Sequence, residues 1–368
     1  MEVIEILKEL LRFKSISPKD DGAFNYISML MSDFESINFD KNGTKNLLLK
    51  KKFSDGVHLC FAGHIDVVPP GENWENNPFK PVQKDEFIYA RGAQDMKSGI
   101  AAMLCACKNI KEFNGTLSIL LTSDEETDGD YGTKYALEEM QKLNLLPNFV
   151  VLAEPTCENV FGDTIKIGRR GSINGTIEIK GTQGHTAYPE KCLNPIHEIA
   201  KILPNFAGYD LDSGSEHFSA SKIVITDIKS EGSQAVNVTP SNIKITFNVR
   251  NSNLSNVNDL KNYCERVFAG LDYALDLKVI SEPFLMDTNS KIIKNLSQTI
   301  QEVCKFNPKF STSGGTSDAR FFASHDISVV EFGVKNDTIH KANEKVGIDE
   351  VIGLCDIFTN LIKNFNKN

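Results

Sequence analysis

A chain of 368 residues, 40 % hydrophobic and 24 % charged with a formal net charge of −9, has a globular composition and is too long for one compact core, which suggests two domains. The negative balance and the lack of any Lys/Arg run argue against a nucleic-acid binder, and no apolar stretch reaches the length of a bilayer span. Met1-Glu2-Val3-Ile4-Glu5 shows no signal peptide, and the eight cysteines, none in a Cys-x-x-Cys pair, read as reduced thiols of a cytoplasmic protein, which argues against zinc held by cysteine.

Apolar residues at helical spacing predict amphipathic helices over 2–14 and 23–38, and short strands follow near 46–50, 57–63 and 87–90. The apolar run Val57 to Ala62 reads as a buried strand that Pro69-Pro70-Gly71 stops. Between them stand His64 and Asp66. Two residues apart in an extended segment, they point to the same side, as in a metal-binding histidine whose other ring nitrogen is held by an acid. By itself the pair reads more readily as a histidine and a surface acid in a loop. Trp74, the single tryptophan, falls in a loop over that position. Arg91-Gly92-Ala93-Gln94-Asp95-Met96-Lys97-Ser98-Gly99 leads into an apolar helix at about 97–111, with Asp95 where a helix cap would stand. Thr116 to Thr122 is a second buried strand, running into Ser123-Asp124-Glu125-Glu126. A helix over about 131–143 follows, and then a third strand, Phe149 to Ala153, ending in Glu154-Pro155-Thr156.

This alternation predicts an α/β layer with a largely parallel sheet, in which ligands bind beyond the carboxyl ends of the strands. His64, the pair Glu125-Glu126, and Glu154 all fall at such ends. From Gly171 the texture changes. An alternating strand (172–181), Gly184-His185-Thr186-Ala187-Tyr188-Pro189, a helix from about 195, strands at 220–230 and 242–250, a helix at 256–268 and a strand at 273–281 form a ferredoxin-like order, which Pro283 closes. The α/β pattern then resumes with a helix (289–304), Ser313-Gly314-Gly315-Thr316-Ser317-Asp318, a strand (328–332), Thr338-Ile339-His340 and a helix over 349–365. The expected organisation is a catalytic domain of residues 1–170 and 284–368 interrupted by an α+β domain of residues 171–283.

The chemistry gathers in His64, Asp95, Glu126, Glu154 and His340. Two imidazoles with three carboxylates suit a pair of zinc ions, each taking one histidine and one terminal carboxylate while the third carboxylate bridges. Such a pair can activate water and polarise a carbonyl. Glu125, adjacent to a ligand without being one, is the candidate proton carrier.

With these residues the chain resembles the co-catalytic zinc aminoacylase/carboxypeptidase family. The resemblance rests on Gly63-His64-Ile65-Asp66, Gly92-Ala93-Gln94-Asp95-Met96-Lys97, Glu125-Glu126, Ala153-Glu154-Pro155 and His340. Gly162-Asp163, Gly168-Arg169-Arg170-Gly171-Ser172, Gln183 to Pro189, Asn194-Pro195, Gly314 to Phe321 and Asn336 to Lys341 narrow it to members that cleave N-succinyl-LL-2,6-diaminopimelate into succinate and LL-2,6-diaminopimelate. Ser98 and Gln94 depart from the common pattern, and neither is expected to touch a ligand.

The resemblance implies a zinc-aminopeptidase-like catalytic domain with an inserted ferredoxin-like lid and dimerisation domain, two Zn2+ per subunit with Co2+ able to substitute at one site, and a homodimer. It implies that Asp95 bridges, that His64 and Glu154 complete one site and Glu126 and His340 the other, that Asp66 orients His64, and that Glu125 is the general acid/base. It implies a cis peptide bond between Asp95 and Met96, and a His185 that reaches the active site of the other subunit to bind the oxyanion. Arg169, Arg170, Arg250 and Arg320 are guanidinium candidates for the substrate carboxylates, with Tyr188, Asn237, Thr316 and Asn336 as polar contacts carried over by resemblance. An acetylornithine deacetylase or dipeptidase of the same family, and a metal-free scaffold that binds a partner, stand as the competing readings.

Overall fold

Val57–His64 is apolar along most of its length, so neither of its faces can meet water and both must be covered. In the computed structural model, which describes residues 2–127, 129–232 and 235–365, this strand lies in the middle of an eight-stranded sheet. The order across the sheet is Glu35–Asn38, Leu47–Lys52, Gly115–Thr122, Val57–His64, Phe149–Leu152, Ser328–Glu331, Thr164–Lys166 and Lys309–Ser311. Parallel pairing holds for the central four strands, from Gly115–Thr122 to Ser328–Glu331. Antiparallel neighbours flank them, Leu47–Lys52 on one side and Thr164–Lys166 on the other. The sheet is therefore mixed, with a parallel centre.

Two predicted helices are shorter than their periodicity suggests. The first spans Glu2–Leu10 rather than reaching residue 14, because the carbonyls of Leu10 and Phe13 accept hydrogen bonds from the Lys97 ammonium. The second spans Ala23–Leu30, and Glu35–Asn38 instead pairs antiparallel with the strand Leu47–Lys52 at the sheet edge. Apolar spacing carries on to Met31 and Phe34, both buried, but ladder hydrogen bonds decide the backbone beyond them.

The helix Lys97–Lys108 is buried from Lys97 to Cys107 and packs on Ile348–Phe365, whose Phe358 ring lies 5.0 Å from that of Phe61. Gly99 is what lets this helix approach so closely: a Cβ there would overlap the Ala153 carbonyl oxygen, at the end of the strand that leads to Glu154. A small three-stranded sheet, Lys345–Gly347, Phe87–Tyr89 and Val82–Lys84, sets Lys345 opposite Tyr89. It brings together two segments that are distant in the chain.

The chain divides into two compact units, one of Met1–Gly168, Met286–Ser311 and Ser317–Asn368, the other of Arg169–Leu285 with Thr312–Thr316. In the second unit four antiparallel strands run in the order Lys222–Glu231, Asn242–Arg250, Ser172–Lys180, Tyr273–Ser281. With helices Pro195–Phe206 and Val257–Val267 this is the ferredoxin-like arrangement. Its helix starts are locally encoded. Asn194 caps the first helix, with Pro195 in the first turn, and Asn256 with Asp259 forms a capping box on the second. Among the described residues no helix is long and apolar enough to cross a membrane.

Candidate metal centre

All five candidate ligands lie in the first unit, beyond the carboxyl ends of its parallel strands. His64 is the last residue of Val57–His64, Glu126 follows Gly115–Thr122, Glu154 follows Phe149–Leu152, and His340 lies downstream of Ser328–Glu331. Asp95 stands in the turn before Lys97–Lys108, and its peptide bond to Met96 is cis. Gly63 is tightly enclosed: a Cβ there would overlap the Met96 methyl, so the strand end and the Asp95 turn are in contact.

Asp95 is the centre of the cluster. Its Oδ1 lies 3.2 Å from His64 Nε2 and its Oδ2 lies 3.4 Å from His340 Nε2, so each oxygen faces a different histidine. Glu154 Oε1 is 3.7 Å from His64 Nε2, and Glu126 Oε1 is 3.0 Å from His340 Nε2. His64 is buried, while the His340 side chain is 50 % exposed, which leaves that side of the cluster open. Ligand atoms of His64, Asp95 and Glu126 lie within 4.8 Å of one another.

Asp66 holds His64 differently from the expectation. The nearest acceptor to His64 Nδ1 is the backbone carbonyl of Asp66, at 3.0 Å, whereas the carboxylate Oδ1 is 3.7 Å away. The other carboxylate oxygen accepts the backbone N–H of Glu126 at 3.2 Å, which ties the two strand ends together. Oδ1 itself is buried without a hydrogen-bond partner among the described residues.

The electrostatics are those of carboxylates in excess. Burial alone would push the His64 imidazole down, but Asp95, Glu154, Glu125 and Asp66 around it hold it well above its ordinary range. Hydrogen bonds to Asp95 and Glu126 raise His340 to about 10. Burial works against the Asp95 carboxylate, yet the two histidines keep it below the usual range. Glu154 is pushed upward, chiefly by burial and then by Asp95 and Glu125. Burial also pushes Glu125 up to about 8, helped by the negative charges of Asp318, Asp95 and Glu126.

A divalent cation fits this donor set on two grounds. Ligand bonds of about 2.0–2.1 Å in a tetrahedral site give ligand–ligand edges of roughly 3.3 Å, and the four contacts of 3.0–3.7 Å around His64 and His340 bracket that value. The acids that raise both histidines give the cluster an excess of negative charge, which a divalent cation would balance.

Other sequence candidates are placed as follows. Asn336 is partly buried in the first unit, its N–H donating to the Cys157 carbonyl at 3.1 Å. Arg320 lies over the ring of Phe321, and its Nε is buried without a partner among the described residues. In the second unit Arg169 donates to the Ser313 carbonyl at 3.1 Å, and Thr316 belongs to the same unit. Arg250 ends its strand, and burial together with the charge of Arg170 depresses it below the ordinary guanidinium range. Arg170 Nε has no partner among the described residues. His185, Tyr188 and Asn237 are exposed; the His185 ring meets Tyr188 edge-on at 5.9 Å, and Thr186 N–H donates to the Asn237 carbonyl at 3.0 Å.

Three buried charged side chains around the centre have no role assigned from the sequence, although Arg91 and Lys97 stand in the motif around Asp95. Arg91 and Glu344 form a buried ion pair at 2.7 Å, and Lys97, buried and pushed down to about 7, anchors the first helix. Gln94, expected not to touch a ligand, donates to Asp337 Oδ1 at 2.6 Å and accepts from Thr338 N at 2.8 Å, on the segment that carries His340. The available signal is charge inside a stretch of otherwise small or apolar residues around Asp95.

The family model for peptidase family M20/M25/M40 matches residues 60–364, and the chain belongs to that family. A protein of a Nitratiruptor species named succinyl-diaminopimelate desuccinylase is 55 % identical over 365 residues, 99 % of this chain and 100 % of that one. Among solved structures, an M20 family metallo-carboxypeptidase, Sso-CP2 from Sulfolobus solfataricus, superposes with a TM-score of 0.80 at 17 % identity over 100 % of both chains. The YXEP protein of Bacillus subtilis, a dinuclear metal binding peptidase of the M20 family, gives 0.76 at 14 % identity over 99 % of this chain and 98 % of that one. Both likenesses establish the fold.

Proposed function

We propose that this chain is a metal-dependent amide hydrolase that cleaves N-succinyl-LL-2,6-diaminopimelate to succinate and LL-2,6-diaminopimelate, a step of diaminopimelate and lysine biosynthesis. The observation that carries the chemistry is Asp95, whose two oxygens face two histidines that each have a further carboxylate of their own. The full-length relative at 55 % identity carries the substrate over to this chain.

In this reading His64, Asp95 and Glu154 would hold one ion and Asp95, Glu126 and His340 the other, with zinc as the metal and cobalt able to replace it at one site. The ions supply Lewis-acid polarisation of the scissile carbonyl and activation of water. Glu125 stands beside the ligands without joining them. There it can accept a proton from the attacking water and return it to the leaving nitrogen. Asp66 keeps the His64 ring in place through its backbone carbonyl.

The substrate carries three carboxylates. Arg250, disfavoured in its charged form by burial and by Arg170, would be favoured by an incoming anion. Arg169, Tyr188, Asn237, Thr316 and Asn336 are further contacts by family resemblance. The inserted domain (171–283) serves as lid and dimer interface, residues 1–170 and 284–368 as the catalytic domain, and His185 as the oxyanion donor to the partner subunit's site. Eight free cysteines agree with a cytoplasmic location.

The test is turnover by zinc-loaded protein of N-succinyl-LL-2,6-diaminopimelate against acetylornithine and dipeptides. Preference for acetylornithine or a dipeptide would move the chain to another activity of its family, and no turnover of any would leave a binding scaffold. In the same assay, mixing His185→Ala with Glu126→Ala subunits under exchange should restore activity that neither parent has. No recovery despite exchange would remove the donation in trans.

A further inference from the structure

Glu344 is no ligand candidate, yet it is fully buried, and its carboxylate accepts four hydrogen bonds from the turn that presents Asp95. Oε2 accepts from Arg91 Nη1 at 2.7 Å and Gly92 N–H at 2.8 Å. Oε1 accepts from Gln94 N–H at 2.8 Å and from the N–H of Asp95 itself at 3.0 Å. A buried carboxylate is tolerated only where its lone pairs are occupied and a cation stands beside it, and both conditions hold here.

Arg91 does more than balance the charge. Its Nη2 donates to the carbonyls of Pro70, at 3.2 Å, and of His340, at 3.4 Å. The backbone of His340 has φ 59°, a left-handed conformation uncommon for a residue with a side chain, which persists where the surroundings over-determine it. Gln94 adds a parallel link through Asp337 and Thr338. Every one of these bonds joins the Asp95 turn to the segment around His340 or to the loop that follows His64.

We propose that Glu344 is a positioning residue for the metal centre: paired with Arg91, it clamps the Asp95 turn to the His340 segment and so keeps the two oxygens of Asp95 aligned with His64 and His340. The inference rests on the reading of Asp95 and His340 as ligands. A clamp of this kind does not touch the substrate, so its loss should appear in metal binding and in kcat before KM.

The experiment is a Co2+ titration of metal-stripped protein, followed by calorimetry and by the visible absorption of the bound ion, on wild type, Glu344→Gln and Glu344→Asp. Failure of the wild type to bind two ions would overturn the metal reading, independently of Glu344. Gln keeps the size of the side chain but turns an NH2 toward backbone donors. Asp keeps the charge beside Arg91 but withdraws the carboxylate by one methylene. With the wild type binding two ions, each folded variant should bind at least one of them about 10–100-fold more weakly and show a changed Co2+ absorption. Its kcat should fall while KM stays within about threefold of wild type. A folded variant with wild-type Co2+ uptake and absorption overturns the proposal. Loss of the fold in both variants, read by circular dichroism of the metal-free proteins, overturns it as well, since Glu344 would then support the fold rather than the site.

Discussion

Both units of the chain bury an apolar core, but the first adds a set of buried charges to it. Around the strand Val57–His64 the interior holds charges: Asp66, Arg91, Lys97 and Glu344 are each no more than 1 % exposed. Around Ser172–Lys180 the core is Ile177, Phe206, Ile223, Phe247, Leu260 and Phe268, and Arg169 alone among the described charged residues of that unit counts as buried. Buried charge is costly and buried apolar area is favourable, so the second unit is stabilised by what it hides. The first tolerates its charges because hydrogen bonds and ion pairs across segments distant in sequence satisfy most of them, and those same links build the metal centre. An apolar core shows how a unit folds; a satisfied charged interior shows where it works.

The largest effect that would sharpen this contrast is chemical. Glu125→Gln removes the proton carrier and no ligand, so kcat should fall by about 10³-fold, equivalent to about 4 kcal/mol, with two metal ions still bound. Metal analysis beside steady-state kinetics checks it. A variant that loses an ion, or that keeps more than a few per cent of wild-type activity, would take Glu125 out of its role.

In the second unit the corresponding change is one of stability. Phe247 packs edge-on against Phe206 at 5.2 Å, and its ring occupies the space that a Cβ on Gly175 would need. Phe247→Ala should cost about 3–5 kcal/mol in denaturant unfolding of that unit. Co2+ uptake by the first unit should persist at denaturant concentrations that unfold the second. Simultaneous loss of both would show that the two units unfold as one.

The smallest effect concerns His58, at the opposite end of the central strand from His64. Its Nε2 lies 2.7 Å from Ser118 Oγ, and burial depresses the imidazole to about 4. The folded pKa is below the unfolded one, so between the two values the unfolded chain binds the proton first, and stability falls as pH falls. From pH 7 to 5 this one group should remove about 1–2 kcal/mol, allowing for its partial exposure. His58→Gln should show a loss over that interval smaller by this amount, measured by urea unfolding at the two pH values. Equal losses in variant and wild type would show that His58 is not the titrating group.

Much of the centre is legible because parallel strands announce themselves as apolar runs, and their carboxyl ends must stop in loops. His64, Glu126 and Glu154 can be placed on three such ends from the sequence. Asp66 does stand beside His64, but the atom that meets Nδ1 is its carbonyl, a difference of one rotation that spacing does not encode. The spacing around Glu35–Asn38 predicts helix because its neighbours are helical; pairing with Leu47–Lys52, a tertiary fact, overrides that preference.

By itself, then, the sequence determined the composition of the centre, the strand–helix alternation that carries it and the ferredoxin-like order of the inserted segment, since periodicity, capping residues and chain breaks act over a few residues. Only the tertiary structure decided that Glu344 faces the amides of the Asp95 turn, that Gln94 binds the His340 segment, and that Lys97 closes the first helix. In sequence Glu344 is an ordinary acid in a polar stretch, and nothing beside Gln94 or Lys97 shows which distant segment each will meet. What a buried charge meets depends on which loop returns to it, and the loop that meets Asp95 returns some 250 residues later, at Glu344.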